Sequence, residues 1–106
     1  MNIGAMMKQI QEMQTKMQEV QARLETQEVS GQSGGGMVKI TMNGKGAMTA
    51  IAIDPSLMKV EEKEILEDLL IAAHNDAKGK AERMMADSLK DVTGGLPLPP
   101  GLKLPF

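Results

Sequence analysis

Few side chains in this sequence are equipped for bond-making chemistry. It has one histidine, His74, no cysteine, and four serines at positions 30, 33, 56 and 88. None of the serines lies in a nucleophile-elbow sequence. A lone histidine cannot build a histidine-rich metal site, and without cysteine neither a thiolate zinc site nor a disulfide can form. Glu64, Glu67 and Asp68 are close in sequence, but no histidine stands at ligand spacing from them. No catalytic residue, metal, cofactor or small-molecule substrate is therefore expected. What remains is ionic chemistry. Ten lysines and two arginines face fourteen acids, for a net charge of −2. Such cations neutralise phosphates. With lysine so dominant, bidentate reading of guanine should be rare. Phe106 is the only aromatic residue, so stacking platforms for single-stranded nucleic acid are absent.

The charge is unevenly spread. Residues 1–53 carry a net +1, residues 54–76 a net −5 and residues 77–90 a net +2. Acids early and bases late in one helix match the helix macrodipole, which accounts for Glu61, Glu62 and Glu64. It does not account for Lys78 and Lys80, which fall mid-helix. The candidate anion-contacting set is Lys8, Lys16 and Arg23 in the first third of the chain, Lys39 and Lys45 in its middle, and Lys78, Lys80 and Arg83 near its end.

These side chains need elements to hold them. Over residues 3–27 the apolar positions are Ile3, Met6, Ile10, Met13, Met17, Val20 and Leu24. They alternate in steps of three and four, a heptad seam that predicts a helix packed against one partner helix. Residues 28–36 read EVSGQSGGG. A short strand is expected over 28–31, followed by a glycine turn. The glycines do not form a phosphate loop, since no Gly-Lys-Ser/Thr ending and no helix follow. Residues 37–43 alternate, with Val38, Ile40 and Met42 on one face. Asn43-Gly44 opens a tight turn through Lys45-Gly46. The return strand over 47–53 puts Thr49, Ile51 and Ile53 on one side. Asp54-Pro55 is a helix-start pair. A long helix is predicted over 60–92, its buried face running through Leu66, Leu69, Ala73, Ala77, Ala81, Met84, Ser88 and Val92.

The expected fold class is α+β: long helix, three-stranded antiparallel sheet, long helix. Val38, Ile40, Met42, Ile51, Ile53, Leu66 and Leu69 are the expected core and dimer-forming residues. A single helix-hairpin-helix domain would span 1–95, with an extended Pro/Gly-rich tail over 96–106 whose leucines fall on alternate positions. A helix of 30 residues is about 45 Å long, whereas a compact 100-residue domain has a radius of gyration of only ~13 Å. The helices should therefore overhang the sheet as arms. A three-stranded sheet also leaves edges that invite a second copy, so a homodimer is expected. Lys8, Glu12 and Lys16 interrupt the N-terminal segment before a signal-peptide core develops. The longest apolar run, residues 69–73, is too short to span a membrane. Both readings point to the cytoplasm.

Four ordered segments carry a resemblance: SGGGMVKITMNGKG (33–46), IDPSLM (53–58), LEDLLIAAHNDA (66–77) and LPPGLKLPF (98–106). Together they make the chain, from about residue 6 to its end, similar to the YbaB/EbfC family of bacterial nucleoid-associated proteins. The resemblance implies a tweezers-like homodimer with helical arms. It implies binding to double-stranded DNA with little sequence specificity, in the cytoplasm at the nucleoid, with effects on nucleoid organisation and gene expression. It transfers no set of DNA-contacting positions, so the cations above rest on charge alone. The alternative from architecture is a coiled-coil protein-interaction module or a prefoldin-like small chaperone, gripping apolar clients with its methionines.

Overall fold

A computed structural model describes residues 2–93, and the surroundings of side chains for residues 2–90. The tail expected over 96–106, the helix-ending Gly94-Gly95 and the expected buried position Val92 lie outside these limits. The element order is α1 (Ile3–Thr26), β1 (Glu28–Ser33), a 3-10 turn (Gly34–Gly36), β2 (Val38–Asn43), β3 (Met48–Ile53), two further 3-10 turns (Pro55–Leu57 and Val60–Glu62) and α2 (Lys63–Thr93). The strands form one antiparallel sheet in the order β1-β2-β3. The fold class read from the sequence is the one observed.

Local chemistry fixes most boundaries. The Asn2 side chain caps α1 by accepting from the Ala5 amide at 3.2 Å. Asn43 builds the hairpin turn, its Oδ1 accepting from the Lys45 and Ala47 amides at 3.0 Å each. Asp54 accepts from the Ser56 amide at 2.9 Å and starts a 3-10 turn; α2 itself begins only at Lys63, three residues later than expected. β1 runs to Ser33, two residues beyond the predicted strand. It ends where Gly34, Gly35 and Gly36 all take positive φ, which non-glycine residues rarely adopt.

α2 packs on β1 and β2. Val38, Ile40 and Met42 point into it and meet Leu57, Ala73 and Ala77, with Leu66, Leu69 and Ile53 half-buried at the margin. The alanines let the backbones approach. At buried Gly31 an added Cβ would collide with the Ala77 amide nitrogen and the Ala73 carbonyl, so β1 crosses α2 at a point where only glycine fits. A second cluster joins Val20 and Leu24 of α1 to Met84 and Met85 of α2, with Met17 half-buried beside it.

Two expectations about the core need correction. Ile51, expected among the core and dimer-forming residues, is 50% exposed in the protomer and so does not belong to its core, because α2 does not extend over β3: five of the six β3 residues are exposed. The heptad seam is also only partly packed. Ile3, Met6, Ile10 and Met13 are each at least half exposed, because α1 meets α2 only through its C-terminal turns. The remainder of α1 projects, giving extents of 70 × 25 × 17 Å and a radius of gyration of 19.0 Å. The arm inferred from helix length is present in the protomer.

One tie between layers sets a pH dependence. Asp76 Oδ2 accepts from the Gln32 amide at 3.1 Å and from Lys80 Nζ at 3.3 Å. The Gln32 amide first, and the Lys80 ammonium second, hold the Asp76 carboxyl below its ordinary value of 3.8. The folded chain therefore binds this proton less tightly than the unfolded chain. The contribution is complete above the ordinary value and is lost as pH falls through the lowered one. In acid titrations followed by circular dichroism, wild type should lose stability relative to Asp76→Asn below about pH 4 and not between pH 5 and 7. Parallel curves throughout would show that the carboxylate does not carry this linkage.

Candidate nucleic-acid interface

The structure sorts the eight candidate cations into four places. Packing of Val20 and Leu24 against Met84 brings the last turn of α1 alongside the middle of α2. Arg23 from α1 and Lys80 and Arg83 from α2 thereby line one open cleft of ≈ 570 Å³, together with Gln27 and Asp87. These cations are about sixty residues apart in sequence. Arg23 and Arg83 are exposed and form no ion pair among the described residues. Lys80 differs from them. Its ammonium donates to the Ser30 carbonyl at 2.8 Å as well as to Asp76 at 3.3 Å, so its charge is partly neutralised and its position is fixed against the sheet.

The other flank of α2 holds a smaller cleft of ≈ 330 Å³ between the helix and the hairpin turn. Lys78 and Lys45 line it, with Met42, Ala81 and Met85 among its apolar residues. Lys45 is partly neutralised by Glu25, at 3.2 Å. His74 and Glu82 also line this cleft. Lys8 and Lys16 lie on the projecting arm beside Glu12 and Glu19, a helical spacing that offsets their charge locally. Lys39 is exposed, at a position alternate to the inward Val38 and Ile40, on the sheet face away from α2.

The acids concentrated in residues 54–76 fall mainly on the approach to α2 and its first turns. The cationic cleft lies further along α2, beside the end of α1. An overall acidic chain thus carries a locally basic groove between two helices, with guanidinium groups from both. This is a geometry suited to a polyanion lying across the groove, since phosphate contacts position a protein without reading sequence. A model of the YbaB/EbfC DNA-binding family matches residues 1–96.

The chain belongs to the YbaB/EbfC DNA-binding family.

Relatives within this nucleoid-associated family are close. A nucleoid-associated protein of Brucella anthropi is 60% identical over 101 residues, covering 95% of this chain and 94% of the relative. A nucleoid-associated protein of Brucella ovis is 58% identical over the same shares. The crystal structure of an uncharacterized protein, HP0035 from Helicobacter pylori, superposes with a TM-score of 0.80 at 26% identity, covering 89% of this chain and 99% of that one. As in the expectation from sequence, the YbaB/EbfC chain has two long helices bracketing a hairpin. Among the described residues no helix is long and apolar enough to cross a membrane.

Sequence reasoning missed two features of this YbaB/EbfC surface. Gln27 lines the larger cleft, and nothing in its local pattern marked it. The bonds from Lys80 to β1 were also not foreseen. The i,i+4 spacing of Asp76 and Lys80 was visible as a helical pair, but its reach to a strand more than forty residues away was not.

Proposed function

We propose that this protein binds duplex DNA as a nucleoid-associated homodimer, contacting phosphates with little sequence readout. The observation that carries the reading is the convergence of Arg23 and Arg83, from two helices, on one open cleft with Gln27 and Lys80 beside them, in a member of a DNA-binding family. The relatives named nucleoid-associated proteins support the nucleoid of the cytoplasm as its place of action. The uncovered β3 and the projecting α1 support a second copy, which would place two arms on one body. Lys45, Lys78 and Lys39 then serve as secondary phosphate contacts. Lys8 and Lys16, offset by their own acids, contribute least.

Binding of a mixed-sequence duplex, titrated at rising salt, tests the reading. Each neutralised phosphate contributes about −0.9 to the slope of log K against log salt. A steep linear fall in affinity, equal for unrelated duplex sequences, is expected. Affinity indifferent to salt, or confined to one sequence, would sink the phosphate-contact model.

A further inference from the structure

The two edges of the sheet are not equivalent. Along β1 the residues opposite Met42, Ile40 and Val38 are Val29, Gly31 and Ser33. The residues between them turn their backbone groups outward, and two of these groups are already taken. The Ser30 carbonyl accepts from Lys80 Nζ at 2.8 Å. The Gln32 amide donates to Asp76 Oδ2 at 3.1 Å. One ammonium donor and one carboxylate acceptor, four residues apart on α2 and themselves paired at 3.3 Å, thus occupy one of the acceptors and one of the donors that an incoming strand would need. Edge strands present such groups as templates for another chain. On β1 that template is interrupted from within at Ser30 and Gln32.

β3 has no such cover. It lies at the far edge, Met48 and Ile51 are 45% and 50% exposed, and none of its backbone groups is bonded to a side chain of α2 among the described residues. The alternation on β2 turns the backbone groups of Lys39 and Thr41 toward β3, opposite Ala52 and Ala50, and leaves the backbone groups of Ile51 outward.

We infer that Asp76 and Lys80 form an edge latch that closes β1 to other chains, so that a second copy pairs only through β3. The inference rests on the homodimer reading above. The latch decides how assembly ends. Two copies sharing one free edge pair about a two-fold axis and stop at a dimer. With both edges open, β1 of one copy meets β3 of the next, and that head-to-tail contact carries assembly past the dimer, into a ring or an open filament.

Sedimentation velocity on the full chain over a hundredfold concentration range, with wild type and the double variant Asp76→Asn/Lys80→Met, tests this. Wild type should reach a dimer and grow no further. The double variant should form larger species whose mass rises with concentration, and adding Ile51→Lys should abolish that growth. A folded double variant that stays dimeric overturns the latch and leaves the dimer standing. A wild type that stays monomeric overturns the homodimer reading itself. If the double variant fails to fold, residue-resolved amide exchange on wild type still decides. Gln32 should be protected equally at all concentrations, and Ile51 only where the dimer forms. Concentration-dependent protection at Gln32, or its absence there, overturns the inference.

Discussion

Replacing Gly31 with alanine should destabilise the protein by about 3 kcal/mol, at the upper end of ordinary overpacking costs. A new methyl group at this position meets the Ala77 amide nitrogen and the Ala73 carbonyl. Those atoms belong to the backbone of a continuous helix and cannot rotate aside as a side chain would. The sheet must lift from α2, and the contacts among Val38, Ile40 and the two alanines loosen with it. For a chain of this size about 3 kcal/mol lowers the thermal midpoint by more than ~10 °C. Gly35→Ala is the informative control. Gly35 has φ of +66° with nothing within 4 Å of an added Cβ, so only the conformational cost of about 1 kcal/mol applies. Urea unfolding of both variants checks the prediction. A Gly31→Ala protein as stable as Gly35→Ala would mean that the helix–strand contact is not the tight point of the core.

Reversing charge at Arg23 and Arg83 together should lower affinity for duplex DNA by more than tenfold at low salt and flatten its salt dependence. If each arginine neutralises one phosphate, the slope of log K against log salt shrinks by about 2 per protomer. Both side chains are exposed and form no ion pair among the described residues, so circular dichroism should show an unchanged fold. Reversal at Lys59 and Lys63 is the matched control. These exposed residues lie at the acidic approach to α2, away from the Arg23–Arg83 cleft, and should alter binding only through net charge. Arg23→Lys/Arg83→Lys should retain most of the binding, because a contact that only neutralises a phosphate asks for charge rather than a planar fork. Equal losses from the two charge reversals would remove the cleft as the seat of the DNA backbone.

The cleft and the close crossing at Gly31 are linked. Arg23 reaches the groove because Leu24 is fully buried beside Met84 and Met85, and α2 lies where it does because β1 crosses it at Ala73 and Ala77. The Gly44 amide adds a further tie, donating to the Leu24 carbonyl at 2.8 Å. Loosening the core at Gly31 should therefore also separate the two arginines.

The sequence alone determined what short-range periodicity can encode. Alternation at Val38, Ile40 and Met42 specified the inward face of β2, Asn43-Gly44 specified the hairpin, and the series from Leu66 through Ala73, Ala77 and Ala81 specified the face of α2 that packs on the sheet. The lengths of the two helices specified an elongated protomer. These features depend on spacings of two to four residues, which local geometry converts directly into faces. Other outcomes depended on where α2 comes to rest across the strands, and only the tertiary structure decided them. α2 stops short of β3, so Ile51 is exposed. It meets α1 only near Leu24, so the outer half of the heptad seam stands uncovered. It sets Arg83 beside Arg23, and it spends the side chains of Asp76 and Lys80 on the edge of β1. Spacing along one element cannot announce which distant element will arrive opposite. That was settled where glycine lets elements come close, at Gly31 against Ala73 and Ala77 and at Gly44 against Leu24.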